Sequence, residues 1–215
     1  MKDLGITQKF LLLALNKNGK LSAWASEQQV CLTGGAVLEL LEEGCCRIEG
    51  KKVTAVKEPD KSAAYLTSVY RYLEEKPRKL DKITYDYTFT FTDARLKKLL
   101  SEVGESLAEE GCVRKESKGL IVENIRYYPE ESCVDNVVQQ LRAELLEEGE
   151  VSEDMVVLAA LLDVSGLLKQ YFSKYETEQL KSRLKSIRES EQGATVRKML
   201  EYMESIIVAV IAVVN

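Results

Sequence analysis

Residues 10–41 read FLLLALNKNGKLSAWASEQQVCLTGGAVLELL and join two apolar helix patterns through a short connection. The leucine-rich beginning has the spacing of a buried helix face, and Asn18-Gly19 supplies a turn after it. A second helix is predicted to begin near Ser26. The only tryptophan of the chain, Trp24, falls in the connection. This order of helix, turn, tryptophan and helix restricts the fold more than the composition does.

Length and charge limit the classes of function. A chain of 215 residues can bury one sizeable core, which favours a single domain over residues 1–215. A net charge of −5 with 30% charged residues describes an ordinary acidic protein. The overall charge therefore favours neither nucleic acid nor anionic lipid as a partner, and no nucleic acid is predicted to bind. Any anion site must be a local patch.

The absence of histidine excludes His-based catalytic triads, histidine general bases and histidine metal ligands. The cysteines lack CxxC spacing and the N-terminus lacks a signal-peptide pattern, so a cytoplasmic chain with reduced, buried thiols is predicted. A zinc site built from four cysteines is the alternative, although adjacent Cys45 and Cys46 are poorly spaced for it. No catalytic residue, cofactor or metal ligand is predicted. The five cysteines are Cys31, Cys45, Cys46, Cys112 and Cys133.

The middle of the chain predicts a hairpin, two helices and a strand. A short two-stranded hairpin is expected within residues 45–56, and a helix follows between Ser62 and Pro77. In residues 83–91, large apolar side chains alternate with Thr and Asp, which is typical of a half-buried strand. The next helix, capped by Thr92 or Asp93, is predicted to end at Gly111.

The last hundred residues predict a second hairpin and further helices. Two short strands are expected within residues 113–123. Residues 155–168 are apolar nearly all round, which indicates a central buried helix. The apolar run 206–214 is too short for a membrane span, which needs about 20 residues. The predicted fold is mainly α: a bundle of amphipathic helices around a buried central helix, with short β-hairpins. The four further helices are 130–149, 152–172, 174–191 and 195–214.

Several motifs together resemble one known family. The sequence LLLAL at residues 11–15, a loop ending in Trp24, and the helix LTGGAVLEL at residues 32–40 follow one another as in the Golgi phosphoprotein 3 family. Residues 107–113 resemble the end of a later helix of that family, which is followed by a hairpin. The short N-terminus lacks the long extension typical of the animal proteins, which favours a divergent or bacterial member.

The resemblance implies a function. Eukaryotic members are peripheral Golgi proteins that bind phosphatidylinositol 4-phosphate and the cytoplasmic tails of glycosyltransferases. A non-enzymatic adaptor is therefore expected, cytoplasmic with peripheral membrane association, and located at the Golgi only if the organism is eukaryotic. Its expected partners are an anionic phospholipid surface and the cytoplasmic tails of membrane proteins.

The resemblance also implies a headgroup site. It places the membrane-facing aromatic at Trp24 and the three basic positions of the family's pocket at Thr33, Lys97 and Leu100. Only Lys97 keeps a positive charge, so the headgroup-binding residues expected here are Trp24, Thr33 and Lys97 in an altered pocket. A two-residue shift of the alignment would instead use Arg95 and Lys98, which lie three residues apart on one helix.

The second hairpin mixes basic and apolar side chains. Such a surface suits contact with a membrane or with a second subunit, and the alternative is a hairpin with one face on the core. The resemblance implies both membrane contact and self-association for this hairpin, so a homo-oligomer through residues 113–123 is a further expectation. The predicted contact residues are Arg114, Lys115, Lys118, Leu120 and Ile121.

Two other functions remain open from the sequence. A protein-interaction or oligomerisation scaffold that has lost phosphoinositide binding is favoured by Thr33 and Leu100, which replace basic residues of the family pattern. A hydrolase would need paired carboxylates such as Glu42-Glu43 or Glu109-Glu110. Those pairs lie at predicted helix ends in charged runs, where a solvated surface is the ordinary structure.

Overall fold

The computed structural model describes residues 4–22, 25–90, 92–118, 124–147, 151–189 and 208. Helices dominate this part of the chain, so the predicted mainly α fold is confirmed. The helix predicted over residues 195–214 lies outside the described residues, apart from Val208. The described helices are α1 Ile6–Ala14, α2 Ser26–Glu42, a 3₁₀ helix Lys61–Leu66, α3 Thr67–Glu74, α4 Leu80–Thr88, α5 Ala94–Glu109, α6 Glu131–Leu145, α7 Glu153–Val164, α8 Leu168–Tyr171 and α9 Lys174–Glu189.

Two small antiparallel sheets complete the described fold. The first contains the predicted hairpin, β1 Cys46–Glu49 and β2 Lys52–Ala55, and a short third strand, β3 Arg78–Lys79, pairs with β2. The second sheet is the hairpin of β4 Val113–Lys118 and β5 Asn124–Pro129. The prediction of both strands within residues 113–123 was wrong for the second strand, because Val113 pairs with Pro129 and Lys118 pairs with Asn124.

The core is built around α7. Its residues Met155–Ala159, Leu161 and Leu162 are buried, and the helix packs against α1, α2, α6 and α9. The predicted central buried helix is confirmed, but it is shorter than residues 152–172. It ends at Val164 because Gly166 has a left-handed backbone with φ of +73°. Helix α1 is also buried along its whole length and contacts α2, α5 and α7.

The strand predicted over residues 83–91 was wrong, since residues 83–88 belong to α4. Its buried residues are spaced as on one face of a helix, at Leu80, Ile83, Thr84 and Tyr87. The Thr84 hydroxyl donates to the carbonyl oxygen of Leu80 at 3.2 Å, which satisfies a polar group within the helix. The alternation of large and polar residues concealed this helical spacing.

All five cysteines are free and buried, which confirms the expected thiols. Burial raises the pKa of Cys46 to about 12 and that of Cys112 to about 12, so these groups stay protonated at neutral pH. No group of three His, Cys, Asp or Glu side chains that would suit a metal ion occurs in the described ranges.

One buried carboxylate fastens α1 to its neighbours. Glu39 on α2 is 5% exposed and accepts a hydrogen bond from the backbone N–H of Thr7 at 2.8 Å and another from the hydroxyl of Tyr65. Burial raises the pKa of Glu39 above its ordinary value, and the hydrogen bonds from Thr7 and Tyr65 oppose this shift without cancelling it. The folded chain therefore holds this proton more tightly than the unfolded chain does.

This raised pKa predicts a pH-dependent stability. The free energy of unfolding is expected to fall as the pH rises above 4.5, the ordinary value, because the unfolded chain releases the Glu39 proton first. The slope for one retained proton is about 1.4 kcal/mol per pH unit. Urea unfolding across this range would measure it. Glu39→Gln, which imitates the protonated carboxyl, is expected to be less pH-dependent than the wild type, and equal slopes would contradict this account of Glu39.

Candidate functional site

The connection between α1 and α2 is fastened to the second hairpin by a tight turn. Gly19 has φ of +68°, and its carbonyl oxygen accepts a hydrogen bond from the backbone N–H of Tyr127 at 3.0 Å. The Arg126 guanidinium donates to the carbonyl oxygen of Asn18 at 2.9 Å. A Cβ at residue 19 would lie 3.1 Å from backbone atoms of Tyr127, so the close approach favours glycine. Residues 16–20 and β5 thus form one continuous surface, here called the loop–hairpin surface.

The hairpin is in turn fastened to α5 by Tyr127. Its buried ring lies against Gly104, and its hydroxyl donates to the Glu105 carboxylate at 2.9 Å. Lys115 of β4 lies 2.6 Å from the same carboxylate. Burial raises the pKa of Glu105, but hydrogen bonds from Lys115 and Tyr127 outweigh that effect and hold this pKa below its ordinary value. An ionised Glu105 therefore ties both strands of the hairpin to the helix.

The predicted hairpin contact residues are only partly described. Arg114 lies 3.4 Å from the carboxylate of Glu116 and stacks at 5.4 Å from the ring centroid of Tyr128. Lys115 pairs with Glu105. Both cations are exposed, but a nearby carboxylate already balances each charge. The remaining predicted contacts lie outside the described residues: the side chain of Lys118, and Leu120 and Ile121.

The predicted headgroup residues occupy different environments. Thr33 is fully buried within α2, and its hydroxyl donates to the carbonyl oxygen of Gln29 at 3.1 Å. It faces the core, so it offers no group to an external headgroup in this arrangement. Lys97 is exposed on α5, with its ammonium 3.5 Å from the carbonyl oxygen of Thr92. Trp24 lies outside the described residues.

The shifted alternative of Arg95 and Lys98 does not give one paired site. Lys98 lies 3.9 Å from the carboxylate of Glu102. The Arg95 guanidinium instead lies over the ring of Tyr72, at 5.0 Å from its centroid. The two cations are therefore directed to different neighbours.

Comparison with known proteins identifies the family. The family model described as Golgi phosphoprotein 3 (GPP34) matches residues 6–203, which is nearly the whole chain. The chain belongs to the Golgi phosphoprotein 3 family. Among curated proteins, none matches it significantly. Golgi phosphoprotein 3 proteins are Golgi-associated, non-enzymatic adaptors, and membership indicates an adaptor role of this general kind.

Two features of this family member were missed from the sequence. The bond between the α1–α2 connection and β5 joins residues 108 positions apart, and no local motif signals it. A basic cluster around Tyr72 contains residues of α3, β3, α4 and α5, and the wrong strand prediction for α4 concealed it.

Within the described ranges, no helix has both the length and the apolar character needed to cross a membrane.

Proposed function

We propose that this Golgi phosphoprotein 3 family member is a peripheral membrane adaptor that binds phospholipid headgroups of the phosphatidylinositol 4-phosphate type. The observation that carries the proposal is the bonding of the α1–α2 connection to β5 through Gly19 and Tyr127. That connection contains Trp24, and β5 belongs to the hairpin that the family resemblance assigns to membrane contact. The loop–hairpin surface therefore unites the two elements from which an adaptor of this family would contact a bilayer.

The chemistry of the site follows from its residues. A tryptophan at the membrane boundary places an apolar ring and an N–H donor where lipid and water meet, which is the role proposed for Trp24. Lys97 supplies the positive charge for the headgroup phosphate. A lysine ammonium is a point charge and lacks the two-pronged geometry of arginine. Together with the net charge of −5, this predicts weak and strongly salt-dependent binding.

A second candidate is a protein-interaction or oligomerisation scaffold that has lost phosphoinositide binding. Two observations favour it: the burial of Thr33, and the pairing of Arg114 and Lys115 with carboxylates. Its proposed partners are the cytoplasmic tails of membrane proteins, or a second copy of this chain joined through the 113–123 hairpin. A weak contact would be sufficient if several copies engaged one membrane.

Vesicle flotation separates these candidates. At low salt, the wild type is expected to float with vesicles that contain phosphatidylinositol 4-phosphate more than with neutral vesicles, and to detach at physiological salt. Trp24→Ala and Lys97→Ala are each expected to weaken this binding about tenfold, in line with the loss of one interfacial anchor or one charged contact. Lys51→Ala, which removes one exposed charge from the β1–β2 turn, is the matched control.

The failure of this experiment is equally informative. No flotation of the wild type on any membrane at low salt would contradict headgroup binding and favour the scaffold. An equal loss of vesicle binding in Lys51→Ala and Lys97→Ala would show that binding depends only on the overall charge of the protein.

A further inference from the structure

A basic pocket of about 490 Å³ lies where the end of α3, β3, α4 and the beginning of α5 meet. Its volume falls within the range of about 300–1,000 Å³ that is typical of small-ligand sites. None of its lining residues belongs to the loop–hairpin surface. Its eight lining residues include five cations and one carboxylate: Tyr72, Lys76, Pro77, Arg78, Lys79, Lys82, Asp86 and Arg95.

The pocket is built around the ring of Tyr72. Arg78 is only 8% exposed, and its guanidinium lies 3.8 Å from the Tyr72 ring centroid and donates to the Tyr72 carbonyl oxygen. A second guanidinium, that of Arg95, lies 5.0 Å from the same centroid. The ring of Tyr87 packs edge-on against it at 5.4 Å. These contacts fix the wall of the pocket before any ligand arrives.

The single carboxylate of the pocket is already engaged. Asp86 accepts a hydrogen bond from the Tyr72 hydroxyl at 2.7 Å and another from the Lys82 ammonium at 2.6 Å. Burial raises its pKa, but these hydrogen bonds and the charge of Lys82 outweigh burial and hold the pKa of Asp86 below the ordinary range. The ionised Asp86 orients Tyr72 and Lys82, and Glu75 beside the pocket pairs with Arg78 at 2.6 Å. Three of the five cations therefore keep an unbalanced charge.

Three cations of the pocket are available to a ligand. Within the part of the chain that the structure describes, Lys76, Lys79 and Arg95 are exposed and make no ion pair. Like charges held close together repel one another, and an anion placed between them would remove that repulsion. Such a concentration of positive charge also contrasts with the net charge of −5.

We infer that this pocket binds a phosphate monoester, through the fork of Arg95 and the ammonium groups of Lys76 and Lys79. A phosphate monoester carries close to two negative charges and three acceptor oxygens, which match several separate donors better than a carboxylate does. The source is either a soluble sugar or inositol phosphate or the headgroup of a lipid. The inference does not depend on headgroup binding at Trp24 and Lys97.

Calorimetric titration of the full chain with soluble inositol 4-phosphate, beside flotation on vesicles containing phosphatidylinositol 4-phosphate, tests the pocket. Arg95→Ala is expected to weaken binding of the ligand about tenfold or more, and Arg95→Lys less, because lysine keeps the charge but loses the fork. Lys98→Ala is the matched control, since it removes one exposed cation from the same helix outside the pocket. Melting curves establish that each variant is folded.

The two assays distinguish a soluble phosphate ligand, a lipid headgroup and a pocket that binds neither. Loss of soluble binding alone in Arg95→Ala supports a soluble phosphate ligand. Loss of flotation in Arg95→Ala, whether or not binding of the soluble ligand is also lost, supports a lipid headgroup. If Arg95→Ala and Lys98→Ala behave alike in both assays, or the wild type binds in neither, the pocket is overturned. Flotation that depends on Trp24 but not on Arg95, with no soluble binding, would overturn the pocket and leave the proposed adaptor function standing.

Discussion

Leu158→Ala is expected to lower the free energy of unfolding by about 2–5 kcal/mol, the largest effect expected of the substitutions considered for this chain. Leu158 lies in the middle of α7 and is fully buried. Helices on several sides cover α7, so its surroundings cannot easily collapse into the space that the missing methyl groups would leave. Urea unfolding followed by circular dichroism measures the change.

The same substitution at a half-buried position provides the control for Leu158→Ala. Leu184 on α9 packs against the core but stays partly exposed. Leu184→Ala is expected to cost clearly less, on the order of 1 kcal/mol, because little cavity forms. Equal losses at the two positions would contradict the central placement of α7.

Gly104→Ala is expected to destabilise the chain by about 1–3 kcal/mol, although alanine favours a helix over glycine by about 1 kcal/mol. A Cβ at residue 104 would lie 2.5 Å from Cε2 of Tyr127 and 2.6 Å from its Cζ, closer than van der Waals contact allows. Tyr127 cannot shift freely, because its hydroxyl donates to the Glu105 carboxylate and its backbone N–H donates to the carbonyl oxygen of Gly19. Thermal melting and urea unfolding would measure the loss.

Removal of the ring should reverse the sign of the Gly104→Ala effect. In a Tyr127→Leu background, Gly104→Ala is expected to be neutral or to stabilise by up to about 1 kcal/mol, as helix propensity predicts. A double-mutant cycle isolates this coupling. If Gly104→Ala costs the same in both backgrounds, Tyr127 does not fasten the hairpin to α5.

Helices with a clear apolar face were predicted correctly from the sequence. Helices α2 and α5 begin where Ser26 and Asp93 indicated, and α5 ends just before Gly111, whose φ of +72° favours glycine. Helix α4 was missed because Ile83, Tyr85 and Tyr87 alternate with polar residues, as in a strand. In the structure, Ile83 and Tyr87 lie on the buried face of the helix, whereas Tyr85 is 53% exposed. Local spacing alone could not decide between the two periods.

The surface around the candidate site was less predictable. The family resemblance placed Thr33 in a headgroup pocket. The α2 residues around Thr33 are buried on all sides, because α2 packs against α1 and α7, and this packing could not be predicted from the spacing of residues in the sequence. The basic pocket brings together Arg78, Lys82 and Arg95 from three separate elements. No spacing rule along the chain links such residues, so long-range packing had to be known first.

Fluorescence of Trp24, the only tryptophan in the chain, tests the proposed headgroup binding most directly. On titration with vesicles that contain phosphatidylinositol 4-phosphate at low salt, we expect a blue shift of the emission and quenching by lipids brominated in their acyl chains, both weaker in Lys97→Ala. An emission spectrum that stays unchanged, and is not quenched, while the protein floats with the same vesicles would contradict membrane contact at Trp24.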